Sequence, residues 1–142
     1  TPKEVLTSIQ KTVFPYGVSI LKNERSLQVA LKELERIREE DLPRMAAADP
    51  HYLLKLHETR GVAFVSEMYV RASLERKETR AGHYREDYHV RDDSQLAWLC
   101  LHKDAASKPE FFRVPVPLEQ YKHPVTRYYQ DNFAFPTNES AK

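Results

Sequence analysis

The sequence predicts a mainly α fold: a three-helix bundle, up-down-up and spectrin-repeat-like, followed by a short β-hairpin and an extended C-terminal arm. Three observations carry this expectation. Apolar residues recur at helical spacing in residues 1–80 and lose that period afterwards. Five of the nine prolines fall between Pro109 and Pro136. Between these regions, two short apolar runs flank a polar turn, the pattern of a hairpin. The predicted organisation is a bundle over 1–82, a charged loop with a two-stranded appendage over 83–117, and an aromatic arm over 118–142.

The first helix is expected from Pro2 to Val13, with Thr1 as N-cap and Val5, Leu6, Ile9 and Val13 on one stripe. Opening on a helix start, without an initiator Met, the chain reads as a segment of a longer polypeptide. Phe14-Pro15-Tyr16-Gly17 breaks the helix. Ile20 and Leu21 lead into a second helix, capped by Asn23 or Ser26, with the stripe Leu27, Ala30, Leu31, Leu34 and Ile37. Pro43 ends or kinks it near Asp41.

Asp49-Pro50 restarts a helix that should run to about Arg80, with Ala81-Gly82 as its stop. Its apolar residues, from Leu53 to Ala72, surround much of the barrel, which reads as a central helix touching more than one neighbour. Gly61 in its interior suggests close helix approach, at about 1 kcal/mol relative to Ala. Arg71, Arg76, Lys77 and Arg80 fall where cations complement a helix C-terminus. Two strands follow, Leu96–Leu101 and Phe111–Val116, joined by a loop over 104–109. In the arm, four aromatic residues lie between Tyr128 and Phe135 without a period; such residues anchor an interface more often than they stack a flavin.

Composition excludes several classes. Twenty-two basic against 21 acidic residues leave a net charge of +1, unlike a basic nucleic-acid binder. Segment 71–91 holds six basic and four acidic residues interleaved with tyrosines, which reads as a salt-bridge network rather than a nucleic-acid surface. Mean hydropathy of −0.66 and the lack of a long apolar run argue against membrane insertion. The three glycines form no phosphate-binding loop. His83 and His89, like His51 and His57, are six residues apart, which does not suit a tetrahedral metal site. Cys100 shares a strand face with His102 but reads as a buried, inert thiol. These residues contain no complete catalytic constellation.

One stretch is more specific. Arg76-Lys77-Glu78-Thr79-Arg80-Ala81-Gly82-His83-Tyr84-Arg85-Glu86-Asp87-Tyr88, then Arg91-Asp92-Asp93 and Trp98-Leu99, closes a long helix. It resembles the C-terminal domain of succinate dehydrogenase and fumarate reductase flavoprotein subunits, with the adenylylsulfate reductase alpha subunit as a close relative. Those carry an Arg-Lys/Thr-Glu-Ser-Arg-Gly-Ala-His stretch, then Arg-Glu-Asp-Tyr/Phe, an acidic pair and a Trp-Leu strand. Here Thr79 stands where Ser is usual, Ala81-Gly82 inverts the usual Gly-Ala order, and His89 stands where Pro is common.

The resemblance implies a domain of a two-electron, FAD-dependent oxidoreductase of the succinate/fumarate or adenylylsulfate type. In such enzymes FAD and the dicarboxylate are held by other segments, so no catalytic, flavin-attachment, cofactor or metal residue is carried over. The implied partners are the flavin-binding domain of the same polypeptide and an iron–sulfur subunit, with no nucleic acid. The implied contact residues are Arg76, Glu78, Arg80, His83, Arg85, Glu86, Asp87 and Trp98. The implied place is the cytoplasm, or the inner membrane face through partner subunits. A homodimer of the isolated domain is a further partner reading. The alternative is a free-standing interaction module without a redox role.

Overall fold

A computed structural model describes residues 1–106, 108–123, 125–128 and 130, and the chain divides into two compact units, Thr1–Arg91 and the segment from Asp92 onward. The first unit is the helical bundle. Helix α1 spans Pro2–Val13 as expected; Thr1 and Glu4 form a reciprocal capping box, each side chain answering the other's backbone. A short helix α2, Tyr16–Ser19, follows, and then strand β1, Leu21–Lys22. Helix α3 runs Glu24–Arg36 with Asn23 as its N-cap. Strand β1 had been expected only as a lead into α3. It pairs in parallel with β2, Tyr84–Arg85, some sixty residues later.

Pro43 acts as a distortion rather than a stop. It lacks the N–H that would continue the helix. The chain widens into a π turn over Ile37–Asp41, with Leu42 N–H donating to the Ile37 carbonyl, and then forms the short α4, Leu42–Arg44. The turn is clamped from the opposite helix: buried Glu67 accepts from Arg38 and from Arg71 Nε at 2.9 Å, and Arg71 Nη2 also reaches Glu35 at 2.7 Å.

Helix α5 spans Pro50–Glu75, capped by Asp49, whose Oδ1 accepts from Tyr52 N–H at 2.8 Å. It packs against both α1 and α3, but through one face only: Leu56, Thr59, Ala63, Ser66, Glu67, Val70 and Ser73 are buried. The expected contact with more than one neighbour is met, although through one face, because a helix apolar on all sides need not be buried on all sides. The expectation for Gly61 is corrected. The small residues that permit close approach are Ala63, Ser66 and Ser73; Gly61 lies on the opposite side, where an added Cβ would meet nothing within 4 Å. The core is built from Val5 and Ile9 of α1, Leu27, Ala30 and Leu34 of α3, Ile37, and the inward stripe of α5. Each fully buried Leu or Ile there contributes about 1.5–3 kcal/mol.

The second unit contains an antiparallel hairpin, β3 (Ala97–Lys103) with β4 (Pro109–Pro115), in the register Trp98↔Val114 and Cys100↔Phe112. Pro115 sits at the outer end of its strand, opposite Ala97, where a missing N–H is tolerated. Asp104 organises the turn by accepting from the N–H groups of Ala106 and Lys108. Most of the aromatic run Tyr128–Phe135 lies outside the described residues; Tyr121 and Tyr128 are exposed.

Candidate functional site

Helix α5 ends at Glu75, not near Arg80, and Arg76 is already extended, with φ −83° and ψ 99°. Arg76, Lys77 and Arg80 therefore stand beyond the helix, and its last turn contains no basic residue. A helix that stops leaves carbonyls without partners. Here they are met by Arg85, ten residues past the end and completely buried. Its Nη1 donates to the Ser73 carbonyl at 2.6 Å and to those of Leu74 and Arg76 at 3.4 Å. The cation thus sits on the negative end of the helix, the place expected for Arg76, Lys77 and Arg80.

Several groups hold Arg85 there. The β1–β2 pairing aligns it with Lys22, and Glu86 N–H donates to the Lys22 carbonyl at 2.8 Å. Thr79 Oγ1 accepts from Arg85 N–H and donates to the Tyr88 carbonyl, both at 2.9 Å. A serine hydroxyl could make the same two bonds, so Thr79 preserves the chemistry of the usual residue. Asp87 takes the guanidinium in a fork, Oδ1 at 2.7 Å from Nε and Oδ2 at 2.8 Å from Nη2. The Tyr88 ring lies under the guanidinium, 4.9 Å from centroid to Cζ.

Asp87 has a second function. Its Oδ2 also accepts from Glu24 N–H at 2.8 Å, placing the carboxylate at the positive end of α3. Next to it, Asn23 caps α3 through Oδ1 and donates from Nδ2 to Glu86 at 2.9 Å. The guanidinium of Arg85, followed by the Glu24 N–H, holds the Asp87 carboxyl down at about 2 against partial burial. One short loop therefore fastens the end of α5 to the start of α3.

A second ion cluster flanks the first. Glu78 is completely buried; it accepts from Arg76 Nη1 at 2.6 Å and from Arg80 through Nε and Nη2, both at 2.9 Å. Arg80 and His83 exchange backbone bonds at 2.8 and 2.9 Å across Ala81-Gly82. That pair is thus a two-residue turn, not the stop of α5. The turn demands a left-handed residue, and Ala81 supplies it at φ 49°, while Gly82 does not use its freedom. His83 Nε2 donates to the Arg76 carbonyl at 3.1 Å. Burial pushes the His83 pKa below the usual value, partly offset by that bond and reinforced by the cations Lys22, Arg85 and Arg76.

Of the eight residues singled out from sequence, the structure joins seven in this knot: Arg76, Glu78, Arg80, His83, Arg85, Glu86 and Asp87. Arg85 and Glu78 have no exposed surface, whereas Glu86 is exposed. Trp98 belongs to the hairpin of the second unit and is 51% exposed. Sequence reasoning missed Thr79, Ser73, Lys22 and Glu24 as members. Asn23 was read only as a cap, and its second bond left no local signal.

The knot offers no nucleophile–base pair. Among the described residues, no group of His, Cys, Asp or Glu is placed to hold a metal. A vacant helix N-terminus is a common seat for a phosphate. The N-termini of α1, α3 and α5 are already taken by Thr1 with Glu4, Asn23 with Asp87, and Asp49. Carboxylates stand at each and would repel a phosphate. No helix of the described residues is long and apolar enough to cross a membrane.

With this geometry in hand, comparison with known proteins places the chain. The family described as fumarate reductase flavoprotein C-term matches residues 8–129. An uncharacterised FAD-dependent oxidoreductase of Methanocaldococcus jannaschii is 30% identical over 84 residues, which cover 59% of this chain and 15% of that protein. The FrdA chain of E. coli quinol fumarate reductase has the same fold, with a TM-score of 0.72 at 20% identity, over 89% of this chain and 23% of that one. The chain thus spans a small fraction of the length of both relatives. It belongs to the fumarate reductase flavoprotein C-terminal family.

Proposed function

We propose that this chain is the helical C-terminal domain of an FAD-dependent oxidoreductase of the succinate dehydrogenase/fumarate reductase type, which docks on the flavin-binding domain and on an iron–sulfur subunit. It carries no complete active site of its own. FAD belongs to the rest of the parent polypeptide, and no residue described above would hold it. The parent interconverts succinate and fumarate or acts on a related substrate, and it lies in the cytoplasm or at the inner membrane face through its partners.

The observation that carries this reading is the 76–88 knot, a family motif that is folded into a fixed surface rather than an active site. Buried Arg85 and Glu78 serve as positioning residues. His83, Glu86 and Trp98 offer surface to partners, with Arg76, Arg80 and Asp87 at the margin. Rigid presentation of such groups lowers the ordering cost of an interface.

The test is the size and flavin content of the native polypeptide. An antibody raised to this chain should detect, in extract of source cells, a band several times heavier that co-purifies with flavin. A flavin-free band at the size of this chain would overturn the reading in favour of a free-standing interaction module.

A further inference from the structure

Lys22 differs from the arginines around it. Arg85 is forked by Asp87, and Arg76 and Arg80 share Glu78. Lys22 is only 3% exposed, and among the described residues no oxygen accepts a hydrogen bond from its Nζ. What the ammonium meets is the Tyr69 ring, 5.6 Å from Nζ to centroid. An ammonium has three donors, and a ring face attracts its charge without replacing the acceptors that water would provide. Burying a charge without such partners is costly. The parallel pairing of β1 with β2 adds to the cost, because it sets Lys22 and Arg85 side by side in register. The charge reaches further: burial first, and Lys22 ahead of Arg85 and Arg76, hold the His83 pKa down.

The ammonium is not shut in. Among the described residues, every fully enclosed side-chain nitrogen or oxygen has a hydrogen-bond partner. Lys22 Nζ has none, so it meets the surface through a narrow opening while its stem is sealed. Tyr69 stands beside that opening, 40% exposed, and is fixed there by its hydroxyl, which donates to the Ser19 carbonyl at 3.2 Å. The opening thus joins a compact positive charge to a flat apolar wall. A phosphate carries oxygen on every side and would leave the wall unused. A carboxylate with a short carbon tail uses both features: an oxygen accepts from the ammonium, and the carbons lie on the ring.

We infer that Lys22 Nζ and the Tyr69 ring form a binding site for a small organic carboxylate, a molecule with one anionic head and a short carbon tail. The site stands apart from the proposed function: it needs neither flavin nor a partner subunit, and no redox step belongs to it.

The experiment titrates the full-length native polypeptide with carbon-13-labelled acetate, followed by NMR line broadening, and compares it with Lys22→Met. Methionine keeps an unbranched stem and removes the charge. A carboxylate site elsewhere in the polypeptide is common to both proteins and cancels in the comparison. The expected result is acetate binding weakened about tenfold or more in Lys22→Met, the scale of one hydrogen bond to a charged group. Propionate should bind more tightly than acetate, and Tyr69→Ala, which keeps the ammonium, should remove that advantage. The Tyr69 variant also serves should Lys22→Met misfold. Equal acetate binding in the parent sequence and Lys22→Met overturns the inference, and is the outcome if an acidic side chain from elsewhere in the polypeptide covers the ammonium. Inorganic phosphate binding as tightly as propionate, or propionate binding no more tightly than acetate, overturns the carboxylate class.

Discussion

The two ends of α5 are closed by different means. At the N-terminus, Asp49 caps Tyr52 three residues away and Pro50 takes the first helical position. At the C-terminus, the last turn holds no basic residue; Arg85 comes back over the carbonyls of Ser73, Leu74 and Arg76. The first end is held by local chemistry and is worth a local amount. The second depends on a buried cation, its carboxylate and a strand pairing, so its loss spreads. A helix end can thus be trivial to the fold at one pole and a junction of three elements at the other.

The sharpest way to break this comparison is to remove both caps in turn. Arg85→Ala leaves Asp87 without its cation and takes the Arg85 donor from three carbonyls, of which that of Arg76 keeps His83; breaking such a buried pair costs about 3–5 kcal/mol. Asp49→Ala removes one exposed cap and should cost about 1 kcal/mol. Urea denaturation of the two variants measures the difference. Similar losses would mean that the C-terminal knot behaves as a set of independent surface contacts.

The same contrast explains what could be read from sequence. Asp49-Pro50 was legible because cap and helix adjoin. The stripes of α1 and α3 were legible because one apolar face meets one core. The end of α5 was misplaced by five residues because Arg76 to Arg80 look like helix-terminal cations, while the true cap lies a further loop away. The pairing of Leu21–Lys22 with Tyr84–Arg85 involves two residues a side, too few to leave a period. In the motif, the mix of signs announced a salt-bridge network, but not which acid takes which base. Asp87 and Glu78 are both two residues from an arginine that they bind, and only the turns between them assign the pairs.

A smaller effect separates the ends by pH. The folded protein holds Asp87 at about 2, against an ordinary 3.8, so its stabilisation is fully present above 3.8 and disappears as pH falls toward 2. The gap corresponds to roughly 2 kcal/mol, which solvent access to the side chain, 29% exposed, reduces to about 1. Asp87→Asn should therefore flatten the acid limb of stability between pH 4 and 2, measured by urea midpoints across that range. Ser or Thr exchange at position 79 should leave it unchanged. An acid limb identical in Asp87→Asn and the parent sequence would show that the fork to Arg85 does not hold the charge.

The smallest effect runs in the opposite direction. Ala81 is the one residue among those described, glycine aside, with a positive φ, at 49°. The family order places glycine at this position and alanine at the next, and the structure gives the reason: the first residue of the turn between Arg80 and His83 must be left-handed, the second need not be. An alanine there retains a clash between its Cβ and the backbone. Ala81→Gly relieves that clash while adding freedom to the unfolded chain, and the two nearly offset each other. The expected balance is a gain of about 0.5 kcal/mol, read as a higher urea midpoint. The reverse probe sharpens it: Gly82→Ala meets open space and a φ that any residue adopts, so it should be neutral or slightly stabilising. A loss in Ala81→Gly would show that the rigidity of alanine in the unfolded chain outweighs the strain it carries in the turn.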